Sequence, residues 1–316
     1  MLVECIDAQR YKNIIDDSII YQSSAFCELN KSKVDELIYL LFQKGSSPRF
    51  ALCMGVQNGI AKCPFSAPFG MPLNLRKQLG IDSYDECIDS LHAYAEQEKW
   101  LGIRFTLPPL FYSSHELSAW INTLYRKGYG VEIADINYQF NLKEVWVPEY
   151  ENLIAHNARK NLRIAHEARL ALHQCEDERE IRIAYDIIAE NRAAKGYPLR
   201  MTYEQVTDTI RFVKHDVFVV SNIEEPIAAA IVYHVMDKIV QVIYWGDRLG
   251  FHRDKPINYL AFKLIEFYGK KGFDYLDIGP STENSQPNYG LCDFKESIGC
   301  ERDIKLTFQK NFAIGG

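Results

Sequence analysis

The sequence lacks the features of a secreted, membrane-spanning or zinc-binding protein. Its eight cysteines are scattered and include no CxxC pair, although structural metal sites and disulfide frameworks need clustered or regularly spaced ligands. The N-terminus carries Glu4 and Asp7 and lacks the apolar run of a signal peptide. No stretch approaches the ~18 apolar residues of a membrane span. These absences predict a cytoplasmic protein with reduced cysteines, no metal and no membrane span.

The chain also has no excess of positive charge and no nucleophile motif. Its 36 Lys and Arg residues are outnumbered by 42 Asp and Glu residues, giving a formal net charge of −6, so no overall cationic field attracts nucleic acid. A GxSxG sequence is absent, which leaves covalent catalysis by serine without support. The chain has 316 residues, of which 47% are apolar. This length and composition are enough for two domains with separate cores.

Apolar spacing and turn residues predict alternating helices and strands. Apolar residues from Val34 to Leu41 recur at helical spacing and Gly45 follows as a stop, so residues 31–45 are predicted to form a helix. Asn58 and Gly59 adopt positive φ at little cost, which predicts a hairpin turn. Capping boxes predict further helix starts. They are Ser83 with Glu86, Ser113 with Glu116, and Thr202 with Gln205.

The second half repeats the order of the first. Residues 121–136 and 265–278 share a helix, Lys-Gly, aromatic and strand signature, and residues 49–61 resemble 217–229. Two such matches in the same order indicate an internal duplication. The predicted fold class is α/β, with mixed, mostly antiparallel central sheets and flanking helices. The predicted domains are residues 1–145 and 146–316.

Further elements are predicted from the same patterns. The predicted strands are 101–107, 130–142, 217–222, 226–235, 239–247, 273–279 and 301–309. The predicted helices of the second half are 152–173, 178–194, one from Thr202, 256–272 and 290–299.

This order resembles the GNAT acyltransferase superfamily, and five segments resemble its Fem-type branch, which includes the peptidoglycan-bridge aminoacyltransferases. The segments are NARKNLRIAHEARL, ENRAAKGYP, PIAAAIVYHV, KKGFDYLDIGPS and NYGLCDFKESIG. The resemblance covers residues 150–310 and extends to the first half through the duplication and the SAPFG loop. It implies tandem GNAT-like domains, of which the first is a degenerate copy. No separate segment corresponds to the helical hairpin that tRNA-dependent Fem-type enzymes often carry.

The implied function is an N-acyltransferase that moves an acyl or acetyl group directly from acyl-CoA, such as acetyl-CoA, to an amine of a small metabolite or cell-envelope precursor. Two alternatives stay open. One is a Fem-type aminoacyltransferase that uses aminoacyl-tRNA on a peptidoglycan precursor, and the other is a non-catalytic ligand-binding GNAT-like module. An acyl-CoA donor, an amine acceptor and, less favoured, tRNA are therefore the expected partners.

A coenzyme A donor would place its pyrophosphate at the loop that opens the helix at Pro256, because a helix N-terminus favours anions. The candidates for binding this cofactor are Arg248, Gly250, Arg253 and Lys255. An ordinary basic turn, offset by Asp247 and Asp254, is the alternative.

Three residues are candidate catalytic groups. Asp277 ends a strand that should reach the groove and could act as a base, and the Tyr244 hydroxyl could protonate a leaving thiolate. Lys295 would point to the groove, with Phe294 packing inward, and would hold a phosphate, carboxylate or oxyanion. The alternatives are a core role for Tyr244 and a solvated helix lysine. The remaining titratable candidates are His234 and His252.

Residues that could contact an anionic or amine substrate lie on predicted helices and in the loop after residue 279. The substrate-binding candidates are Arg159, Arg163, Arg192, Ser281, Asn288 and Tyr289. A solvated helix face is the alternative for the arginines, since Arg163 and Glu167 form an i,i+4 pair.

Overall fold

The computed structural model describes residues 1–15, 19–145, 147–197 and 199–312. Its strands are β1 (Leu2–Ile6), β2 (Glu36–Lys44), β3 (Ser47–Gln57), β4 (Ile60–Cys63), β5 (Leu73–Asn74), β6 (Gly102–Thr106), β7 (Gly130–Asn141), β8 (Ala171–Gln174), β9 (His215–Ser221), β10 (Pro226–Met236), β11 (Ile239–Asp247), β12 (Tyr275–Pro280), β13 (Thr282–Glu283), β14 (Gln286–Pro287) and β15 (Glu301–Asn311). Its α-helices are α1 (Ala8–Ile14), α2 (Ser24–Asn30), α3 (Ile81–Gln97), α4 (Ser114–Arg126), α5 (Tyr150–Leu153), α6 (His156–Glu167), α7 (Glu178–Ala194), α8 (Tyr203–Ile210), α9 (Pro256–Lys270) and α10 (Tyr289–Ser297).

The chain forms two compact units. The first comprises residues 1–136, 284–286 and the segment from Asp303 onward, and the second comprises residues 137–283 and 287–302. The first unit therefore takes most of β15 from the end of the chain, and the second takes the end of β7 from the preceding half. The predicted domain boundary at residues 145–146 stays a prediction, and Trp146 lies outside the described residues.

The sheets of the two units have the same strand order. In the first unit the order is β1-β2-β3-β4-β6-β15, and in the second it is β8-β9-β10-β11-β12-β7. Neighbouring strands are antiparallel in both, except for β4 with β6 and β11 with β12, which are parallel. The parallel pair follows three antiparallel strands in each unit. This repeated topology confirms the predicted fold class and supports the internal duplication.

The core of the second unit lies on both faces of its sheet. Helix α7 packs against β10 and β11, and α9 packs against the same strands. The strand β10 is almost entirely buried, with Ala228, Ile231 and Val232 fully inaccessible, as its continuous apolar run requires. Among the described helices, none is both long and apolar enough to cross a membrane.

The helix predicted at residues 31–45 is wrong, because this segment forms β2. Residues Ile38 to Phe42 are buried without interruption, and such a short continuous apolar run does not distinguish a buried strand from a buried helix. Strand β2 pairs with β3 along its length. The secondary structure of this segment is therefore determined by pairing with neighbouring strands, and such pairing has no local signature in the sequence.

Two further helix predictions need correction. The predicted helix 152–173 is divided into α5 and α6, and its last residues form the edge strand β8. Ser83 lies inside α3, whose N-cap is Gly80. Ser113 does occupy the N-cap of α4, but its side chain makes no capping bond to the backbone.

The strongest local turn and cap signals are confirmed. Asn58 and Gly59 have φ of 52° and 75° and join β3 to β4, as an Asn-Gly hairpin requires. Thr202 and Gln205 form both bonds of a capping box at the start of α8. These signals succeed because each acts over a few residues.

Candidate functional site

The second unit contains an opening where β11 and β12 part. The two parallel strands pair only over Ile239–Gln241 and Tyr275–Asp277, although they run on to Asp247 and Pro280. On its other side, β11 shifts register with β10 at Ile243, which marks a β-bulge. Beyond Gln241, the edge of β11 that faces β12 therefore has no ladder partner in β12, and backbone groups along this edge can meet a ligand.

A buried carboxylate lies beneath this opening. Asp277 is fully inaccessible, and it accepts hydrogen bonds from Asn137 Nδ2 at 2.7 Å, Gln241 Nε2 at 2.6 Å and the Gly279 backbone N–H at 2.8 Å. Both carboxylate oxygens are engaged. These bonds connect the Asp277 side chain to β7, to β11 and to its own strand, so Asp277 fixes the end of β12.

Lys295 is buried in the same region, with 2% of its surface exposed. Its ammonium group donates to the carbonyl oxygens of Ile278, Gly279 and Pro280, at 2.9, 2.7 and 3.1 Å. The alternative of a solvated helix lysine is therefore wrong. Burial lowers the pKa of Lys295 to about 8. Phe294, which was predicted to pack inward, is only half-buried and lies edge-on to Trp245, with ring centroids 6.3 Å apart.

The end of α7 is fastened to the end of β11. Asn191 Nδ2 donates to the Asp247 carbonyl oxygen at 2.6 Å and to Asp247 Oδ1 at 2.9 Å. Gly246 makes this approach possible, since a Cβ at that position would lie 2.9 Å from Asn191 Cβ. The neighbouring Arg192 is thereby held near the open ends of β11 and β12.

Gly246→Ala is expected to lower the free energy of unfolding by ~1–3 kcal/mol, because the new methyl group forces apart α7 and β11. Urea denaturation measures the change. Gly269→Ala is the matched control, since a Cβ there meets nothing within 4 Å and alanine favours the helix. Equal stability of the two variants would contradict this account of Gly246.

Tyr244 and Arg192 lie together at the edge of the opening. Burial raises the pKa of Tyr244, and the positive charges of Arg192 and Arg200 oppose this rise. Both Tyr244 and Arg192 are half-buried. Arg200 is exposed and pairs with Glu283 at 3.2 Å. The structure thus brings four predicted residues into one region of the second unit. They are Arg192, Tyr244, Asp277 and Lys295.

The predicted donor loop, residues 248–255, follows directly on β11. Arg248 is neutralised, because its Nη1 donates to Glu225 at 2.6 Å and its Nε lies 3.5 Å from Glu190. Gly250 has φ of 95° and Lys255 has φ of 53°, so the loop is tightly turned before α9. Arg253 is exposed. The loop therefore offers Arg253, Lys255 and the N-terminus of α9 to an anion.

The two candidate histidines are each engaged by a carboxylate. His252 Nδ1 lies 2.8 Å from Asp247 Oδ2. His234 Nε2 lies 2.7 Å from Asp216 Oδ2, which also accepts a hydrogen bond from the Tyr268 hydroxyl.

The remaining predicted residues have varied positions. Arg159 donates to the backbone carbonyl of Glu151 at 2.7 Å and so holds α5 against α6. Arg163 is exposed and lies 3.5 Å from the Glu151 carboxylate. Asn288 caps α10 by accepting from the Leu291 N–H. Tyr289 is 74% exposed, and Ser281 is buried with no hydrogen-bond partner for its hydroxyl among the described residues.

Three residues that shape the site were not predicted from the sequence. Asn137 and Gln241 hold the Asp277 carboxylate, and Asn191 fastens α7. Asn137 lies 140 positions from Asp277 in the sequence. The only hint was polarity inside predicted strands, where an amide needs a buried partner.

The corresponding place in the first unit is filled by that unit's own chain. Past the parallel pair of β4 and β6, the Gly70 N–H donates to the Thr106 carbonyl at 2.8 Å. Phe69 is buried there against Tyr21 and Tyr112, with ring centroids 5.2 and 4.6 Å apart. Buried side chains of this loop therefore occupy the space past the parallel pair in the first unit.

Solved structures of the same fold cover nearly the whole chain. A FemX crystal structure matches with a TM-score of 0.72 at 11% identity, over 99% of this chain and 98% of that chain. L-PGS from Bacillus licheniformis matches with a TM-score of 0.62 at 12% identity, over 98% and 94%. A tandem GNAT protein from the clavulanic acid biosynthesis pathway matches with a TM-score of 0.53 at 10% identity, over 100% and 99%.

These likenesses establish the fold, and they confirm the tandem GNAT-like, Fem-type fold that the sequence predicted. No protein-family model and no curated protein sequence matches this chain. Among the described residues, no group of His, Cys, Asp or Glu side chains could hold a metal ion.

Proposed function

We propose that this protein is an N-acyltransferase that works by direct transfer in the second unit, with an acyl-CoA donor. The observation that carries the proposal is the opening between β11 and β12, bordered by Tyr244 and followed by the loop that starts α9. The fold shared with FemX and a tandem GNAT protein supports the reaction class by analogy.

Each step of acyl transfer has a candidate group at this opening. Backbone N–H groups of β11 beyond its pairing with β12, beside the bulge at Ile243, can stabilise the developing oxyanion. The Tyr244 hydroxyl, whose raised pKa keeps it protonated, can donate a proton to the leaving thiolate. Asp277 and Lys295 support the floor of the site, since their polar atoms are already bound within the protein.

We assign the donor pyrophosphate to the N-terminus of α9. The helix dipole attracts anions, and Arg253 and Lys255 add positive charge. Pro256 has no N–H, and the Asn258 and Tyr259 N–H groups donate to the Lys255 carbonyl, so the dipole and the two side chains carry this role. Arg248 is left out of this role, because Glu225 and Glu190 already neutralise it. Its contribution is to fasten the loop to the rest of the second unit.

Acetyl-CoA binding, measured by calorimetry, tests the donor. We expect micromolar binding that weakens by at least tenfold in Arg253→Ala/Lys255→Ala, because each lost cation removes a phosphate contact. Arg179→Ala, an exposed arginine in the first turn of α7, serves as the control and should bind normally.

Absence of binding at millimolar acetyl-CoA would overturn the coenzyme A assignment. Aminoacyl-tRNA would then be the donor to test, with a binding constant that falls steeply as salt rises. Binding of tRNA with a shallow salt dependence and no effect of the double substitution would contradict both donor assignments at this loop.

A further inference from the structure

Arg192 is a half-buried arginine whose charge has no partner. In the ranges that the structure describes, its guanidinium makes no hydrogen bond and no ion pair. Three other arginines of the second unit do have carboxylate partners: Arg163 pairs with Glu151, Arg200 with Glu283 and Arg248 with Glu225. Removing a charged group from water without a partner is unfavourable, so an unpaired guanidinium at a candidate site indicates a ligand anion.

The backbone around Arg192 is fixed, which makes the placement specific. The two bonds from Asn191 to Asp247 hold the residue before it. The Tyr197 N–H donates to the Arg192 carbonyl at 2.9 Å and closes the helix end. A rigid backbone limits the positions that the guanidinium can reach, as expected for a preorganised binding group.

The surroundings of Arg192 leave its positive charge uncompensated. Arg192 is close enough to Tyr244 and Lys295 to influence the pKa of each. The Lys295 ammonium gives its three donors to backbone carbonyls, and Asp277 is engaged by its own three donors. Arg192 is therefore the cation of this cluster whose guanidinium N–H groups are available to a ligand.

We propose that Arg192 binds a carboxylate of the acceptor, so that the acceptor is an amino acid or a peptide that carries a carboxylate as well as the reacting amine. A single planar guanidinium matches the two oxygens and single charge of a carboxylate. A phosphate monoester carries up to two charges and would leave one of them without a partner. The acceptor role rests on the proposed function, whereas carboxylate binding does not require a donor.

The test compares matched ligands without any acyl donor. N-acetyl-L-alanine carries one carboxylate, and its N-methylamide replaces that group by a neutral amide. Arginine side-chain NMR of the whole chain follows the Arg192 Nε signal during titration with each compound and with inorganic phosphate. We expect millimolar binding of N-acetyl-L-alanine, with binding of the amide at least tenfold weaker.

Two substitutions complete the test. Arg192→Gln should weaken N-acetyl-L-alanine binding at least tenfold, with an unchanged urea unfolding midpoint. Arg179→Gln, an exposed arginine in the first turn of α7, should leave binding unchanged. No binding at 50 mM, equal binding of the amide, tighter binding of phosphate, or retention of binding in Arg192→Gln would each overturn the proposal. Failure of acetyl-CoA to bind would instead overturn the donor assignment and leave this result standing.

Discussion

Replacing Asp277 by alanine is expected to lower the free energy of unfolding by ~3–5 kcal/mol, the cost of breaking a buried, charge-assisted hydrogen-bond network. The substitution leaves Asn137 Nδ2, Gln241 Nε2 and the Gly279 N–H without their acceptor. Urea denaturation, followed by circular dichroism, measures the loss. Asp208→Ala is the control, because Asp208 pairs with Arg211 at the surface, and its removal should change stability by less than ~1 kcal/mol.

Asp277→Asn separates a positioning role from a role as general base. Asparagine keeps the shape of the side chain but directs an NH₂ group at donors, so stability should fall nearly as far as in the alanine variant. A stable Asp277→Asn variant that bound acetyl-CoA normally and lost the acidic limb of its pH–rate profile would show that Asp277 is the base. Parallel losses of stability and donor binding are expected instead.

Two features of the fold that were predicted correctly residue by residue have local causes. The Asn58-Gly59 turn and the Thr202–Gln205 box depend on residues within four positions of each other. Strand β2 was predicted as a helix because its burial comes from pairing with β1 and β3. The pattern of its apolar residues is compatible with a helix and also with a buried strand, and no residue inside the segment distinguishes the two.

The candidate site was predicted by region rather than by role. Asp277, Tyr244 and Lys295 do lie near the opening, but the function of a polar side chain depends on which groups saturate it. Lys295 meets the carbonyls of residues 278–280, at least 15 positions away. Arg248 was predicted to bind phosphate, but its guanidinium instead donates a hydrogen bond to Glu225, which lies 23 positions earlier in the sequence. Such partners are fixed by tertiary packing, which composition and spacing do not encode locally.

Lys295→Met is expected to lower the free energy of unfolding by ~3 kcal/mol at pH 7, because three carbonyl groups at the end of β12 lose a charged donor. Methionine has a similar length and keeps the packing of the stem. Lys263→Met, in α9, removes a partly exposed lysine that pairs with Glu266 and should cost less than ~1 kcal/mol. Urea denaturation of both variants measures the difference.

The pH dependence of this difference tests whether the buried amine titrates as burial dictates. The pKa of Lys295 falls from 10.5 to about 8 in the folded protein. Between these values the unfolded chain holds a proton that the folded chain has released, so wild-type stability rises with pH relative to Lys295→Met. This contribution is complete above pH 10.5 and is lost as the pH falls through 8.

Unfolding of the wild type and Lys295→Met at pH 7, 8, 9 and 10 should therefore show a widening gap above pH 8, by up to ~1.4 kcal/mol per pH unit. Comparison with the variant cancels the titration of distant tyrosines and cysteines, which both chains share. A large gap that stays constant with pH would mean that the three carbonyls hold the amine as ammonium throughout. Lys295 would then place a permanent positive charge beneath the opening, and the pairing of Arg192 with a carboxylate would relieve the repulsion between these two cations.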